Sequence, residues 1–112
     1  MFTLTKSYEF SASYSSGDRV IAHNYRLTAV FNDISEKLES DLDGKIRNAL
    51  ICKIHSRDLG RDVDFLRGVS LSDASLLKAF WAIVAKTAAP ATLLSLSLDR
   101  EANTRWTLTE TP

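Results

Sequence analysis

A chain of 112 residues, 45% hydrophobic and 25% charged, has the composition of one ordinary globular domain, which argues against an intrinsically disordered protein. Fourteen basic and fourteen acidic residues give a net charge of zero, so the chain lacks the electrostatic footprint of a nucleic-acid or membrane-surface binder. The one cysteine, Cys52, excludes an intramolecular disulfide and a thiolate metal cage. Without a signal peptide or a stretch near the roughly 20 apolar residues of a membrane span, we expect a soluble, cytoplasmic protein.

Two strands are predicted first. From Phe2 to Tyr14 the larger apolar side chains fall on even positions among polar residues, which is the period-two pattern of a strand. The turn cluster Ser15-Ser16-Gly17-Asp18 follows, and the alternation resumes from Arg19 to Phe31. The two segments predict a long β-hairpin.

Two helices are predicted next. Between Asp41 and Ile54 apolar residues recur every three or four positions, and Asp41 is an acceptable N-cap, so we expect a helix with one apolar face. A second apolar stripe runs from Leu76 to Thr87. Ser72 or Asp73 can cap the start of this helix, and Pro90 lies just past its end.

A second hairpin is predicted after the helices. The leucines of 94–98 alternate with polar residues, and the alternation resumes at Trp106 beyond a turn at residues 102–104. The segment from His55 to Val69, between the two helices, is polar and is expected to be a loop.

The predicted order is strand, strand, helix, helix, strand, strand, with no repeat or linker. We therefore expect a single α+β domain over residues 1–112, with both helices on one face of a four-stranded antiparallel sheet. A sheet of this kind has two open edges in a domain that buries only a modest fraction of its surface. Pairing of the edges between copies removes both difficulties, and a monomer with charged edges is the alternative.

Three motifs then suggest a family. The segment Tyr8-Glu9-Phe10-Ser11-Ala12-Ser13-Tyr14 is followed by Ala22-His23-Asn24-Tyr25, the pair Ile54-His55 comes later, and Arg100-Glu101-Ala102-Asn103 ends the third predicted strand. In this order they resemble the first hairpin, the Asp-His pair and the late Glu-Thr motif of the 6-pyruvoyl-tetrahydropterin synthases and the carboxytetrahydropterin synthases of queuosine biosynthesis. The resemblance implies a T-fold (ββααββ) subunit. In the family three subunits close a twelve-stranded barrel, two barrels stack as a hexamer, and ligand sites lie between subunits.

The chain departs from this family at the catalytic zinc. In the family three histidines hold the ion, and the matching positions here are Tyr14, Ile21 and His23. One imidazole does not replace three ligands, Ile21 has no lone pair, and tyrosine, with a pKa of about 10, ligates poorly at neutral pH. We therefore expect no metal site and no cofactor; a zinc synthase with substituted ligands is the alternative.

The chain also lacks some of the family's proton-transfer residues. Its catalytic cysteine lies in the loop between the first two strands, which here is a short turn without cysteine. Cys52 falls on the first predicted helix, where we expect a small buried side chain rather than a base. His55 matches the family's catalytic histidine, but Ile54 replaces the aspartate that orients its ring. His55 is thus a catalytic candidate, with a surface or capping histidine as the alternative, and His23 is interpreted as a hydrogen-bonded strand histidine.

Glu101 keeps the residue type of the family. The matching glutamate there accepts hydrogen bonds from a ring N–H and an exocyclic amino group of the bound heterocycle, and two carboxylate oxygens suit two parallel donors. Ser72 and Asp73 match residues that contact the ring from the start of a helix. The resemblance therefore implies substrate binding by Glu101, Ser72 and Asp73. A charged residue in a hairpin turn is the alternative for Glu101.

Two functions remain open at this stage. The first is a synthase homologue that lacks zinc and synthase activity but keeps a pterin-like or purine-like ligand site between the subunits of a hexamer built as a dimer of trimers. Metal-independent lyase or isomerase activity is compatible with this function. The second is a non-catalytic structural or regulatory T-fold oligomer without a ligand.

Overall fold

A long hairpin forms one half of the sheet in the computed structural model, which describes residues 2–110 of the chain. Strand β1 (Thr3–Ser16) pairs antiparallel with β2 (Arg19–Asn32) along its whole length. Gly17 enters the turn at φ 64°, a left-handed conformation that glycine adopts without a steric penalty. At about 3.3 Å per residue the strand spans roughly 46 Å, which accounts for the 49 Å long axis of the domain.

Three further strands complete a five-stranded sheet. They are β3 (Arg57–Asp58), β4 (Thr92–Arg100) and β5 (Thr104–Thr109), and the strand order is β3-β1-β2-β4-β5. The second hairpin is confirmed. The prediction of four strands was short by one, because β3, a parallel partner of β1 at Ala12 and Ser13, has only two residues and cannot carry a period-two pattern.

The first helical segment is longer than predicted. Helix α1 (Glu36–Ile46) continues through a π-helical turn (Arg47–Ile51) into α2 (Cys52–Ile54). The prediction of Asp41 as N-cap was wrong. Ser35 caps the helix instead, because its hydroxyl accepts a hydrogen bond from the Leu38 amide at 3.1 Å.

The π-helical turn follows from the spacing of the buried residues. Leu42, Ile46, Leu50 and Ile54 are fully buried and lie four positions apart. A pure α-helix of 3.6 residues per turn rotates such a series steadily off the core face. The wider i→i+5 turn corrects the rotation, so that all four side chains stay buried in the core.

The second helical prediction is confirmed. Helix α3 (Asp73–Ala88) begins after Ser72, whose hydroxyl accepts a hydrogen bond from the Ser75 amide at 3.3 Å, and ends before Pro90. A 3-10 turn (Asp64–Leu66) lies in the connection that precedes α3. The helices pack on one face of the sheet, as predicted, and α3 contacts both β4 and β5.

The two faces of the sheet differ in chemistry. The helix-facing side carries the core, whose largest fully buried members include Tyr8, Leu27, Phe31, Phe80 and Leu96. The opposite face is polar, and its charges pair across neighbouring strands, Arg26 with Glu9 and Arg105 with Asp99. Within residues 2–110, no helix has the length and apolar character needed to cross a membrane.

Candidate functional site

The carboxylate of Glu101 is held at the turn between β4 and β5. Glu101 has a φ of 56°, a left-handed conformation that is uncommon for a residue with a side chain. Its backbone N–H donates to the carbonyl of Asn24 at 2.8 Å, and the Asn24 N–H donates to Glu101 Oε1 at 3.1 Å. The reciprocal bonds fix both the turn and the direction of the carboxylate.

One carboxylate oxygen is therefore already used within the chain. Besides the Asn24 amide, His23 Nδ1 donates to Glu101 Oε1 at 3.1 Å. The Asn24 hydrogen bond, followed by that of His23, lowers the pKa of the Glu101 carboxyl, so the side chain is anionic at neutral pH. Within residues 2–110 no donor contacts Oε2, and the side chain remains 43% exposed.

His23 is positioned by this contact and by two aromatic neighbours. Its ring lies 5.9 Å from that of Tyr25 and 6.1 Å from that of Tyr14, measured between centroids, and its side chain is only 17% exposed. Because Nδ1 donates to a carboxylate, the neutral ring carries its proton on Nδ1 and presents a lone pair at Nε2. The interpretation of His23 as a hydrogen-bonded strand histidine is correct, and its partner is the candidate ligand anchor.

His55 lies on the other side of the same polar network. Its Nδ1 accepts a hydrogen bond from the Ser11 amide at 3.1 Å, so the neutral ring has its proton on Nε2. The Ser11 hydroxyl donates to Asn24 Oδ1 at 2.7 Å. Ser11 and Asn24 thereby connect His55 to Glu101, although the two residues lie in different elements of the fold.

Two cavities meet at Glu101. The larger is an open groove of about 940 Å³ on the polar side of the sheet, and Glu101, Asn24 and His55 are among the residues that border it. The smaller, of about 320 Å³, is bordered by Glu101, His23 and Arg57. Tyr25 also borders the groove, and burial, reinforced by the Asp73 carboxylate, raises the pKa of Tyr25 to about 12, which keeps its phenol protonated.

Ser72 and Asp73 lie apart from these cavities within one chain. Ser72 Oγ accepts from the Ser75 amide and donates to Ser75 Oγ at 3.0 Å. Asp73 Oδ2 accepts from Arg100 Nε at 2.9 Å, and its side chain is largely buried. Neither residue borders either cavity. Their predicted contact with a ligand thus requires a second subunit and stays a prediction.

The positions that match the family's zinc ligands do come together. Tyr14 and Ile21 are direct partners across the hairpin, and His23 lies two residues further along β2 on the same face. This donor set does not fit a catalytic zinc, because it offers one imidazole and its Nδ1 already binds Glu101. No cluster of three His, Cys, Asp or Glu side chains suited to a metal occurs in the described part of the chain.

The prediction for Cys52 was wrong in one respect. Cys52 lies on a helix, as expected, but its side chain is exposed rather than buried. The neighbouring Ile51 and Ile54 face the core instead, because the π-helical turn shifts the buried face by one residue. Cys52 borders neither cavity.

Three residues of the cluster were not singled out from the sequence as site residues: Ser11, Asn24 and Arg57. Ser11 and Asn24 stood inside the hairpin motifs, but their roles depend on cross-strand register, which residue type does not reveal. Arg57 lies in β3, a two-residue strand within the segment that was predicted to be a loop, so no sequence signal identified it.

Comparisons with known proteins agree with this geometry at the level of the fold. No family model matches the chain, and no curated protein matches its sequence. Among solved structures, the chain is similar to the 6-pyruvoyl tetrahydropterin synthase of Caenorhabditis elegans with a TM-score of 0.75 and 12% identity. The match covers 98% of this chain and 96% of that one. The chain therefore has the T-fold of the 6-pyruvoyl tetrahydropterin synthases, as the sequence motifs implied.

Proposed function

We propose that this chain binds a pterin-like or purine-like heterocycle between subunits of a homo-oligomer and lacks both zinc and synthase activity. The observation that carries the proposal is the Glu101 carboxylate. It is fixed by the Asn24 amide and His23, and it keeps its second oxygen free where two cavities meet.

The free oxygen suits the donor edge of such a ring. Glu101 Oε2 is an anionic acceptor with two lone pairs, and it can accept hydrogen bonds from a ring N–H and from the amino group beside it. In the family both carboxylate oxygens of the matching glutamate serve this edge of the ring, but here Oε1 of Glu101 already accepts two hydrogen bonds. We therefore place both ligand donors on Oε2, or one of them on Oε1 after it displaces His23.

Further polar groups border the same groove. Asn24 Oδ1 accepts from Ser11, which leaves the Asn24 NH₂ group as a donor, and His55 presents Nε2–H. A fused heterocycle carries ring nitrogens and a carbonyl that accept hydrogen bonds from such donors. The groove thus places the Glu101 carboxylate beside neutral donors that suit an uncharged ring. The other charged residues that border it are paired, Arg26 with Glu9 and Arg105 with Asp99.

The subunit interface is proposed for two reasons. Ser72 and Asp73 border neither cavity at Glu101 within one chain, so we propose that their contribution comes from another copy. In addition, β5 has an open edge, and β1 pairs with β3 only at Ala12 and Ser13. Open edges of two copies can pair, and a hexamer built as a dimer of trimers is the assembly that we propose.

Two observations bear on the activity. The contact of His23 with Glu101 is an imidazole–carboxylate pair that orients the ring, so metal-independent lyase or isomerase chemistry is compatible with the cluster. The second candidate function is a structural or regulatory oligomer without a ligand. It is favoured by Tyr14 and Ile21, which supply no imidazole at two of the three positions that match the family's zinc ligands.

Calorimetry with pterin and guanine tests the proposal. Glu101→Gln keeps the size of the side chain but turns one acceptor into a donor, so we expect binding to weaken by at least about thirtyfold. Glu110→Gln is the matched control, because Glu110 is exposed and borders neither cavity. The control should bind like the unmodified chain.

Two outcomes count against the proposal. If neither compound binds the unmodified protein at millimolar concentration, the structural or regulatory function replaces it. If binding occurs but is insensitive to Glu101→Gln, the ligand lies elsewhere and Glu101 is not its anchor.

A further inference from the structure

Arg57 is held rigidly beside the Glu101 cluster. It is the first residue of β3, which runs parallel to β1. The amide of Ser56 donates to the Ser11 carbonyl at 2.6 Å, and the amide of Leu59 donates to the Ser13 carbonyl at 2.7 Å. Backbone hydrogen bonds on both sides of Arg57 therefore fix where its side chain starts.

The guanidinium of Arg57 has no carboxylate partner among residues 2–110. The two arginines that border the larger groove differ in this respect. Arg26 pairs with Glu9, and Arg105 forms two hydrogen bonds to Asp99, at 2.6 and 3.0 Å. The groove therefore offers no uncommitted guanidinium, whereas the smaller cavity offers that of Arg57.

Apart from two alanines, the other residues that border the smaller cavity have hydrogen-bonding side chains. Ser13 and Ser56 have hydroxyls that bind no other group in residues 2–110, so both are available as donors. His23 also borders this cavity, and so does Glu101. Because Glu101 borders both cavities, a ring anchored there in the groove can extend a substituent toward Arg57.

We infer that Arg57, with Ser13 and Ser56, binds a short anionic substituent on the heterocycle that Glu101 anchors, either a carboxylate or a single phosphate. The inference rests on the proposed function. A guanidinium gives charge-assisted hydrogen bonds to both groups. One guanidinium that shares its cavity with the Glu101 carboxylate does not balance several negative charges, so a triphosphate side chain fits poorly.

Two pairs of probes test Arg57 by calorimetry. One pair is pterin and pterin-6-carboxylate, and the other is 6-hydroxymethylpterin and its phosphate ester. We expect the charged member of at least one pair to bind about fivefold or more tightly than its neutral partner, with the difference shrinking as salt rises. The pair that responds identifies the carboxylate or the phosphate as the preferred group.

Three variants separate Arg57 from general effects. Arg57→Gln should abolish the preference while pterin affinity stays within about twofold, and Arg57→Lys should keep part of the preference because it keeps the charge. Arg61→Gln is the matched control, because Arg61 is 80% exposed, pairs with Asp62 and borders neither cavity. The control should keep the full preference.

The possible failures are distinguishable. If pterin binds but neither charged probe binds more tightly, or if Arg57→Gln keeps the preference, the inference about Arg57 is wrong and the proposed function stands. If none of the four compounds binds the unmodified protein, both the inference about Arg57 and the proposed function are wrong.

Discussion

Removal of the Phe80 ring tests the packing that supports the groove. Phe80 lies on α3, is fully buried, and meets Phe10 and Phe65 edge-on at centroid distances of 6.1 and 6.4 Å. Phe10 in turn borders the groove and stacks on Tyr25 at 4.9 Å. Phe80 thus joins the helical layer to β1 and, through the stack of Phe10 on Tyr25, to β2, which carries Asn24.

The expected cost of Phe80→Ala is large. A buried Phe→Ala change typically costs about 3–5 kcal/mol, and aromatic pairs add roughly 0.5–1.5 kcal/mol each beyond their buried area. With two edge-on contacts and no exposure of Phe80, we expect the upper part of this range, about 4–5 kcal/mol. Phe80→Leu keeps most of the volume and should cost about 1–2 kcal/mol.

Urea unfolding at one fixed protein concentration measures the effect. With a urea m-value of roughly 1–1.5 kcal/mol/M for a domain of this size, Phe80→Ala should lower the midpoint by about 3 M or prevent folding, and Phe80→Leu by about 1 M. Phe2→Ala is the matched control, because Phe2 is 91% exposed and should change the midpoint little. A loss below about 1 kcal/mol for Phe80→Ala would refute the packing described here.

Three other predictions concern charge, metal and assembly. The hydrogen bond from Arg105 lowers the pKa of Asp99, so this pair stabilises the fold above the unfolded pKa of about 3.9 and loses that effect as pH falls through the folded value. Asp99→Asn should therefore reduce the fall in melting temperature that occurs as the pH is lowered from 5 through the folded-state pKa of Asp99. An unchanged fall would contradict this. Because Tyr14 and Ile21 stand beside His23 where the family has histidines, elemental analysis should find no stoichiometric zinc, and about one zinc per chain would contradict this. The protein should also not convert dihydroneopterin triphosphate to pyruvoyl-tetrahydropterin, and chelator-sensitive turnover would contradict that. Light scattering should give a hexamer, or at least a trimer, and a mass near 12.5 kDa at micromolar concentration would refute assembly.

The elements with strong periodicity were predictable from the sequence. The alternation through Tyr8 and Phe10 and the stripe that includes Phe80 correspond to buried faces in the structure, because burial on one side imposes the period. The start of α1 was not predictable in the same way. Apart from Leu38, its first turn is polar and exposed, and Ser35 is recognisable as a cap only when the hydrogen bond from the Leu38 amide is seen.

The site was predictable in part. Glu101 was predicted from a motif, but its contacts with His23 and Asn24 span 78 and 77 positions of the sequence and depend on the β2–β4 register. Arg57 was missed because a two-residue strand leaves no periodic signal. The partly buried pair of Asp73 with Arg100 was missed because it depends on how α3 packs against β4.

A crystal structure of the protein soaked with pterin and guanine tests the central claim most directly. We predict the ring edge with its amino and adjacent N–H groups about 2.7–3.2 Å from the Glu101 carboxylate. We also predict that Ser72 or Asp73 of a neighbouring subunit contacts the same ring. A heterocycle bound away from Glu101, or a groove that stays empty at millimolar ligand, would contradict the account.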